Sequence, residues 1–242
     1  MLTNDGETVH RFPRFDPERL PEVIARYEHI GRLGLPAPTI LASEHGKAGQ
    51  AHLVLQRETG QPWREALVDM SAIQRQRAGT QMADLLQRTR HIGASDWPFT
   101  NASWPKLWWD LQDRLRESSD QAVSVTDHQA VRDAAATAER APLGLIHGDL
   151  AWGNILLSEE GNITAVLDWD FAVLADPAID VAAVTYEIPE DMRQAFADEH
   201  PQMGEDLRRF DNYLATWDLQ HRLWQQQPQS AFTPLQSVET ER

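Results

Sequence analysis

The chain of 242 residues is 41% apolar, contains nine Trp and no Cys, and has a formal net charge of −15. This composition provides a core without disulfides and excludes thiolate chemistry, and the acidic balance argues against a general nucleic-acid binder, which needs clustered Lys and Arg. Because no apolar run approaches ~20 residues, and residues 1–7 lack the basic and apolar parts of a signal peptide, we expect a cytoplasmic protein with no membrane partner.

The first sixty residues alternate between strand and helix patterns. Residues 7–12 predict a strand, and residues 17–33 place apolar side chains at helical spacing. Two further strands are predicted over residues 39–42 and 52–55. This order indicates a small lobe in which strands and one helix pack together.

Strand patterns nearly disappear after Gly60, and helical patterns replace them. Residues 71–74 have the form of a capping box, which predicts a helix to about Arg90. A second helix, over about residues 104–116, sets clustered Trp side chains on one face. Such a stripe is more often core than the lining of a substrate pocket, although both interpretations stay open. A third, Ala-rich helix is predicted over about residues 127–140.

A loop with three polar residues at fixed spacing follows a short apolar strand near residue 145. These residues are His147, Asp149 and Asn154. The Asp-x-x-x-x-Asn interval is typical of a kinase catalytic loop, in which the Asp orients the substrate hydroxyl and the Asn holds a metal ion. His147 is better explained as a packed structural histidine than as a ligand or a base.

The residues after this loop predict a β-hairpin, with two apolar strands around a polar turn. If Ser158 pairs with Ile163 across the turn, Asn154 lies opposite Leu167, and Asp168 follows one residue beyond the pairing. The two side chains would then converge on one Mg²⁺, which typically takes one or two carboxylates plus nucleotide phosphates.

With these motifs the sequence resembles the aminoglycoside phosphotransferase and choline kinase family, whose members have a protein-kinase-like fold. The resemblance covers nearly the whole chain and is strongest over residues 147–154, 167–170 and 176–182. It implies a bilobal α/β fold with a reduced N-terminal lobe of strands and one helix over residues 1–58. A mainly helical C-terminal lobe over residues 59–242 would carry the site.

The resemblance also implies roles for individual residues of the larger lobe. Asp149 would be the catalytic base. Asn154 and Asp168 would be the Mg²⁺ ligands, and Asp180 would brace the catalytic loop from the helix that follows, with His147 as structural support. Two neighbouring acidic residues have no catalytic role in this interpretation. Asp176 is best explained as a helix N-cap before Pro177, and Asp170 has no assigned role.

In the smaller lobe the resemblance gives Arg11 the position of the phosphate-binding basic residue. Glu22 would be its partner on the helix, with Glu28 as the competing candidate. Gln56 and Glu58 would offer backbone groups to the adenine of ATP. An exposed strand residue and an ordinary strand end are the alternative explanations for these positions.

The implied activity is transfer of the γ-phosphate of ATP to a hydroxyl of a small molecule, aminoglycoside-like, choline-like or sugar-like. The acidic composition favours a cationic substrate, although an acidic surface that only maintains solubility explains it more simply. The family normally places two strands and a phosphate-covering loop before the strand of Arg11, where about six residues stand here. The alternative interpretation is therefore a catalytically inactive, kinase-like binding or regulatory module.

Overall fold

The computed structural model describes residues 6–12, 17–45, 51–99, 113, 124–150, 152–186, 188–216 and 219. The backbone divides into two compact units. Unit 1 comprises residues 1–85, 152–171 and 190–196, and unit 2 comprises residues 86–151, 172–189 and 197–242. The predicted lobe boundary at residue 58 stays a prediction. Within the described ranges, no helix has both the length and the apolar character that a membrane crossing requires.

The described ranges form a mixed α/β structure, as predicted. Its strands are β1 (Thr8–Arg11), β2 (Ile40–His45), β3 (Ala51–Gln56), β4 (Gln61–Pro62), β5 (Gly144–Ile146), β6 (Ile155–Leu157), β7 (Ile163–Val166) and β8 (Val173–Ala175). Its helices are α1 (Leu20–Arg32), α2 (Trp63–Asp69), α3 (Ala72–Arg90), α4 (Val125–Arg140), α5 (Ala178–Thr185), α6 (Glu190–Glu199) and α7 (Met203–Leu214). Short 3₁₀ turns cover Pro17–Arg19, Trp152–Asn154 and Trp169–Phe171.

The N-terminal sheet of unit 1 confirms the predicted order of strands and helix. Strands β1 and β2 both pair antiparallel with the central β3. Helix α1 buries Val23, Tyr27 and Ile30, which recur at the four- and three-residue spacing of one helical face. Leu53 and Leu55 of β3 are also buried. These apolar side chains supply the core of the first part of unit 1.

The base of the predicted hairpin is confirmed. Ile155 of β6 faces Val166 of β7, and the backbone N–H of Leu167 donates to the carbonyl oxygen of Asn154 at 2.7 Å. Asn154 therefore lies opposite Leu167, as predicted. The N–H of Val166 also donates to the carbonyl oxygen of Pro36 at 2.6 Å, which joins the hairpin to the segment after α1.

The tip of the hairpin differs from the prediction by one residue. Leu157, rather than Ser158, faces Ile163, because the register shifts after Leu156. The N–H of Ser158 donates instead to the carbonyl oxygen of Asn162 at 2.8 Å. The predicted pairing of Ser158 with Ile163 is wrong, since Thr164 forms a bulge, a common place for one extra residue in an antiparallel pair.

Helix α3 fixes this shifted tip through long-range contacts. Gln74 donates to the carbonyl oxygen of Glu159 at 2.5 Å, and Arg77 donates to that of Glu160 at 2.9 Å. Gly161, at φ +82°, approaches the same helix so closely that an added Cβ would lie 2.7 Å from the backbone oxygen of Gln74. The register of the turn thus depends on side chains of α3, which lie 85 and 83 residues away in the sequence. A hairpin pattern alone does not reveal such contacts.

Two helix starts show how capping sets the boundaries. The N–H of Ser71 donates to Gln74 Oε1 at 2.7 Å, and the N–H of Gln74 donates to Ser71 Oγ at 3.4 Å. These reciprocal hydrogen bonds confirm the predicted capping box. Helix α4 starts two residues before its predicted position. The reason is a second capping box, in which Ser124 Oγ accepts from the N–H of Asp127 at 3.0 Å.

One short helix is absent from the sequence prediction, and one predicted helix lies almost wholly outside the described residues. Helix α2 was not predicted, because seven residues are too few to establish a helical period, although Trp63 and Ala66 are buried. The predicted helix over residues 104–116 lies outside the described residues, apart from Asp113. The interpretation of its Trp residues therefore stays a prediction.

Unit 2 is built around small side chains. Strands β5 and β8 pair antiparallel, and helices α4, α5 and α7 contribute Ala134, Ala138, Ala182, Phe210 and other residues to one buried cluster. Alanine lets helix backbones approach each other, and the rings of α7 fill the remaining space. This cluster supports the strand that leads into the loop of His147.

A buried charged network crosses the same unit. Asp206 is fully buried, and its carboxylate contacts Arg90, lies 2.8 Å from Nε2 of His200, and accepts from Arg209 at 2.5 Å. Burial alone would raise the pKa of Asp206, but His200 and the two guanidinium groups outweigh it and lower that pKa. The carboxylate is therefore ionised and fully engaged.

Arg209 links this network to the start of helix α5. Arg209 donates to both oxygens of Asp176, at 2.9 and 3.0 Å, and Tyr213 donates to Asp176 at 2.9 Å. Asp176 also accepts from the backbone N–H of Ala178 at 3.0 Å, so it serves the helix start as expected. Pro177 occupies the N-cap position itself, one residue later than predicted.

Candidate functional site

One cationic side chain of unit 1 gathers two carboxylates and a phenol. Arg11, at the end of β1, donates from Nη2 to Asp168 Oδ1 at 2.6 Å. Its Nη1 and Nη2 each donate to one oxygen of Asp170 at 2.9 Å, and Nη1 also donates to the hydroxyl of Tyr27 at 3.1 Å. The cluster joins β1, α1 and the end of the β6–β7 hairpin.

Asp168 is placed by a sharp turn that follows β7. Its φ of +61° lies in the left-handed region, where Asp is tolerated better than most residues other than Gly. The buried Trp169 then anchors the turn, because its indole N–H donates to the carbonyl oxygen of Val166 at 2.8 Å. Its backbone N–H donates to the Tyr27 hydroxyl at 3.2 Å. The strained residue is thus held from both sides, as is common at functional sites.

The electrostatics of the cluster are dominated by burial and by the ion pairs. Burial would lower the pKa of Arg11, but the carboxylates of Asp170 and Asp168 raise it, so the guanidinium stays charged. Burial raises the pKa of Asp170, and Arg11 opposes that rise. Burial also raises the pKa of Tyr27, with the charge of Asp170 acting in the same direction, so the phenol stays neutral.

The predicted helix partner of Arg11 is not found at either candidate position. Glu22 pairs with Arg26 one helical turn away, and Glu28 lies 3.9 Å from Arg32. Helical i,i+4 spacing explains both pairs. The residue of α1 that contacts Arg11 is the neutral Tyr27.

The donor set at the open end of the hairpin suits Mg²⁺. Asn154 and Asp168 would offer an amide and a carboxylate oxygen, the hard ligands that Mg²⁺ prefers, and the N–H of Leu167, the residue before Asp168, donates to the carbonyl oxygen of Asn154. In the part of the chain that the structure describes, no three His, Asp or Glu side chains form a metal-binding group by themselves. Any ion here would need water or phosphate oxygens as further ligands.

Gln56 and Glu58 line a pocket of about 690 Å³ in unit 1, beside Leu41 and Thr8. The backbone N–H of Gln56 donates to the carbonyl oxygen of Thr39 at 2.9 Å, and that of Arg57 donates to Glu7 at 2.9 Å. These two donors are therefore already used. The pocket has the size of an ordinary small-molecule site.

The predicted catalytic loop lies in unit 2 and is tied to helix α5. The buried carboxylate of Asp180 accepts from the N–H of His147 at 2.6 Å and from that of Gly148 at 3.1 Å. Gly148 has φ +80°, which turns the chain so that successive N–H groups face one carboxylate. The N–H of Asp149 donates to Nδ1 of His147 at 3.2 Å, so the buried imidazole acts here as a backbone acceptor.

Asp180 makes the stability of this loop sensitive to pH. Burial raises its pKa to about 7, and the hydrogen bonds from His147 and Gly148 only partly oppose the rise. A raised carboxyl pKa means that the folded state keeps a proton which the unfolded state releases at lower pH. The associated stability is present below the unfolded pKa and is lost as pH rises through about 7.

We therefore expect the unfolding midpoint to fall as pH rises from about 5 to 8, and Asp180→Asn to flatten this dependence. The amide cannot titrate but keeps an acceptor for the loop. Urea or thermal unfolding of both proteins across this range measures the difference. Parallel pH curves for the two proteins would contradict the assignment.

Sequence reasoning missed two members of the Arg11 cluster. Tyr27 was recognised only as an apolar position of a helix, although a phenol on the buried face needs a hydrogen-bond partner. Asp170 had no assigned role, and only its position two residues after Asp168 pointed to the cluster. Spacing within the chain does not reveal which carboxylate reaches Arg11 from 159 residues away.

The comparisons with known proteins agree on one family. The model of the APH phosphotransferase enzyme family matches residues 1–218. A homoserine kinase of Paramagnetospirillum magneticum is 29% identical in an alignment of 185 residues that covers 70% of this chain and 54% of that protein. The chain thus spans about half the length of this relative.

Solved structures of aminoglycoside phosphotransferases share the fold. The GDP and kanamycin complex of an APH(2'') enzyme superposes with a TM-score of 0.71 at 14% identity, over 94% of this chain and 84% of that one. APH(3'')-Id from Streptomyces rimosus superposes with a TM-score of 0.61 at 18% identity, over 89% and 88%. This chain belongs to the phosphotransferase enzyme family and has its kinase-like fold.

Proposed function

We propose that the chain transfers the γ-phosphate of ATP to a hydroxyl group of a small molecule. The observation that carries this proposal is the convergence of Arg11 and Asp168 at the hairpin end where Asn154 faces Leu167. A guanidinium for phosphates and two oxygen donors for a metal ion are the recurring parts of phosphoryl-transfer sites. Membership of the phosphotransferase family supports the same reaction.

Each residue of the proposed site has one task. Asn154 and Asp168 would hold Mg²⁺, which when bound neutralises charge on the nucleotide phosphates. Arg11 would contact the phosphates through its planar fork. Asp149 would accept the proton of the acceptor hydroxyl.

We propose that the nucleotide base binds in the pocket that Gln56 and Glu58 line. The backbone N–H groups of Gln56 and Arg57 already donate to Thr39 and Glu7. Of these three successive residues, we therefore propose Glu58 as the one that offers its N–H to the base. Its partly buried position in the pocket wall is consistent with this role.

The acceptor is proposed to be a hydroxyl compound that also carries a positive charge. The related proteins are named as a homoserine kinase and as complexes with kanamycin and streptomycin. Homoserine and aminoglycosides carry hydroxyl and amino groups, and choline-like alcohols carry a hydroxyl and a quaternary ammonium group. All of them therefore combine a hydroxyl with a cationic nitrogen. The net charge of −15 favours a cationic acceptor over an anionic one.

The proposal predicts turnover that depends on Mg²⁺, on a nucleotide and on Asp149. Purified protein is incubated with Mg²⁺–ATP or Mg²⁺–GTP and a panel of amino alcohols, aminoglycosides and sugars, and nucleoside diphosphate release is measured. Asp149→Asn is expected to lower turnover by about 10² to 10⁴, the usual contribution of a general base, without weakening nucleotide binding.

Nucleotide binding is followed in parallel by thermal shift. A Mg²⁺-dependent shift without diphosphate release for any acceptor would favour the alternative, a kinase-like binding module. Absence of both the shift and the release would contradict the proposed function. Turnover that survives Asp149→Asn unchanged would contradict the role of Asp149 alone.

A further inference from the structure

Asp170 has the contacts of a residue that holds Arg11 in place. Its side chain is 11% exposed, against 31% for Asp168, so it is the more buried carboxylate of the pair. Both of its oxygens accept from Arg11, one from Nη1 and one from Nη2, each at 2.9 Å. Asp168 makes one contact to Nη2. Two parallel hydrogen bonds fix the plane of a guanidinium group, whereas one contact leaves it free to rotate.

Asp170 is itself fixed by helix α1. The backbone oxygen of Asp170 accepts from Arg26 Nη1 at 3.3 Å. The preceding residue, Trp169, is buried and donates its N–H to the Tyr27 hydroxyl at 3.2 Å. The carboxylate that grips Arg11 is thus supported by a packed element rather than by a free loop end, as precise positioning requires.

The charges of the cluster distinguish the two carboxylates. Arg11 carries one positive charge and faces the negative charges of Asp168 and Asp170, while its contact on α1 is the neutral Tyr27. If Asp168 turns to a metal ion, Arg11 would lose one carboxylate partner. Asp170 then remains as its anionic partner, and the vacated side of the guanidinium faces incoming phosphate oxygens.

We propose that Asp170 is the positioning residue for Arg11, in the role that the sequence assigned to a glutamate of α1. It keeps the guanidinium oriented while Arg11 exchanges the Asp168 carboxylate for the nucleotide phosphates. This inference rests on the proposed function, because it needs a nucleotide at Arg11. It adds a residue and an order of contacts to that function.

A double-mutant cycle on nucleotide affinity tests the inference. The Kd for Mg²⁺–ATP is measured by calorimetry for wild type, Asp170→Asn, Arg11→Gln and the double variant. Each single change is expected to weaken binding by about tenfold to a hundredfold, the range for residues that hold a ligating group in place. The Kd of the double variant should be no higher than that of the single variant with the higher Kd, because Asp170 acts through Arg11.

Matched variants separate positioning from general stability. Asp191 makes a comparable ion pair with Arg75 in the same unit: Nε of Arg75 donates to both carboxylate oxygens, at 3.1 and 2.9 Å, and Nη2 lies 2.7 Å from Oδ2. Asp191→Asn should leave the Kd within about twofold of wild type while removing a similar ion pair. Asp170→Glu, which restores the charge on a longer side chain, should recover part of the affinity lost in Asp170→Asn.

A readout without nucleotide reports the position of Arg11 directly. Modification of Arg11 by phenylglyoxal, followed by mass spectrometry, should be faster in Asp170→Asn than in wild type. Arg75 serves as the internal reference in both proteins. Equal rates at Arg11 in folded samples would overturn the inference whatever the nucleotide affinity.

The outcomes also separate the two levels of the proposal. Additive losses in the double variant would overturn the inference, because Asp170 would then act on the nucleotide or metal independently of Arg11. If Asp170→Asn binds Mg²⁺–ATP as tightly as the wild type does, the inference is overturned and the proposed function still stands. A wild type that binds neither Mg²⁺–ATP nor Mg²⁺–GTP would overturn both.

Discussion

Replacing Asp168 with Asn is expected to abolish Mg²⁺-dependent nucleotide binding and to lower turnover by about a thousandfold or more. A bound metal ion contributes several kcal/mol to phosphoryl transfer, and each ~1.4 kcal/mol is a factor of ten in rate. The substitution removes the charge that attracts the ion but keeps an oxygen toward Nη2 of Arg11, 2.6 Å away in the native pair. Asn also accepts the left-handed backbone at this position, φ +61°. The fold should therefore persist.

Calorimetric titration of nucleotide with and without Mg²⁺ measures this loss, and an unfolding curve confirms that the variant is folded. Asp191→Asn is the control for removing an aspartate charge from the same unit, and it should bind nucleotide like wild type. If Asp168→Asn retains the Mg²⁺ dependence of wild type, the metal assignment to this residue is wrong.

Replacing Asp206 with Ala is expected to lower the free energy of unfolding by about 3 to 5 kcal/mol, the usual cost of removing one partner of a buried ion pair. The carboxylate is fully buried and engages Arg90, Arg209 and His200. Without it, the guanidinium groups of Arg90 and Arg209, which are 12% and 13% exposed, each lose one compensating charge. The start of helix α5 would also be affected, because Arg209 pairs with Asp176 there.

Urea unfolding of Asp206→Ala beside Glu205→Ala provides the measurement and its control. Glu205 is the preceding residue and also pairs with Arg209, at 3.1 Å, but its side chain is 65% exposed. Its removal should cost less than about 1 kcal/mol, as for exposed pairs in general. Equal losses for the two variants would show that burial of Asp206 does not decide its contribution.

The sequence was sufficient for features that depend on neighbours along the chain. The apolar period of α1, the Ser71–Gln74 capping box and the base of the hairpin are all local patterns, and the structure confirms them. The kinase-like fold was predicted from a family resemblance carried by residues 147–154, 167–170 and 176–182, and the solved relatives confirm it. For the local patterns, the residues that determine the structure lie within about one element of each other.

The remaining details depend on contacts between distant residues. The hairpin tip takes its register from side chains of α3, and Arg11 finds its carboxylates beyond the hairpin rather than on α1. Glu22 and Glu28 both satisfied the spacing of a helix partner, but each pairs with an Arg one turn along its own helix. Competition between local and distant partners is decided by packing, and one sequence does not display it.

The left-handed backbone of Asp168 has a consequence for mutational drift at this position. Single-base changes in an aspartate codon reach Asn and Gly, which are two of the few residues that adopt such a conformation readily. Either change would remove the carboxylate of the proposed metal ligand with little cost in folding. Single-base mutagenesis of this codon would therefore yield folded proteins that lack the proposed ligand, and a selection for solubility alone would not eliminate them.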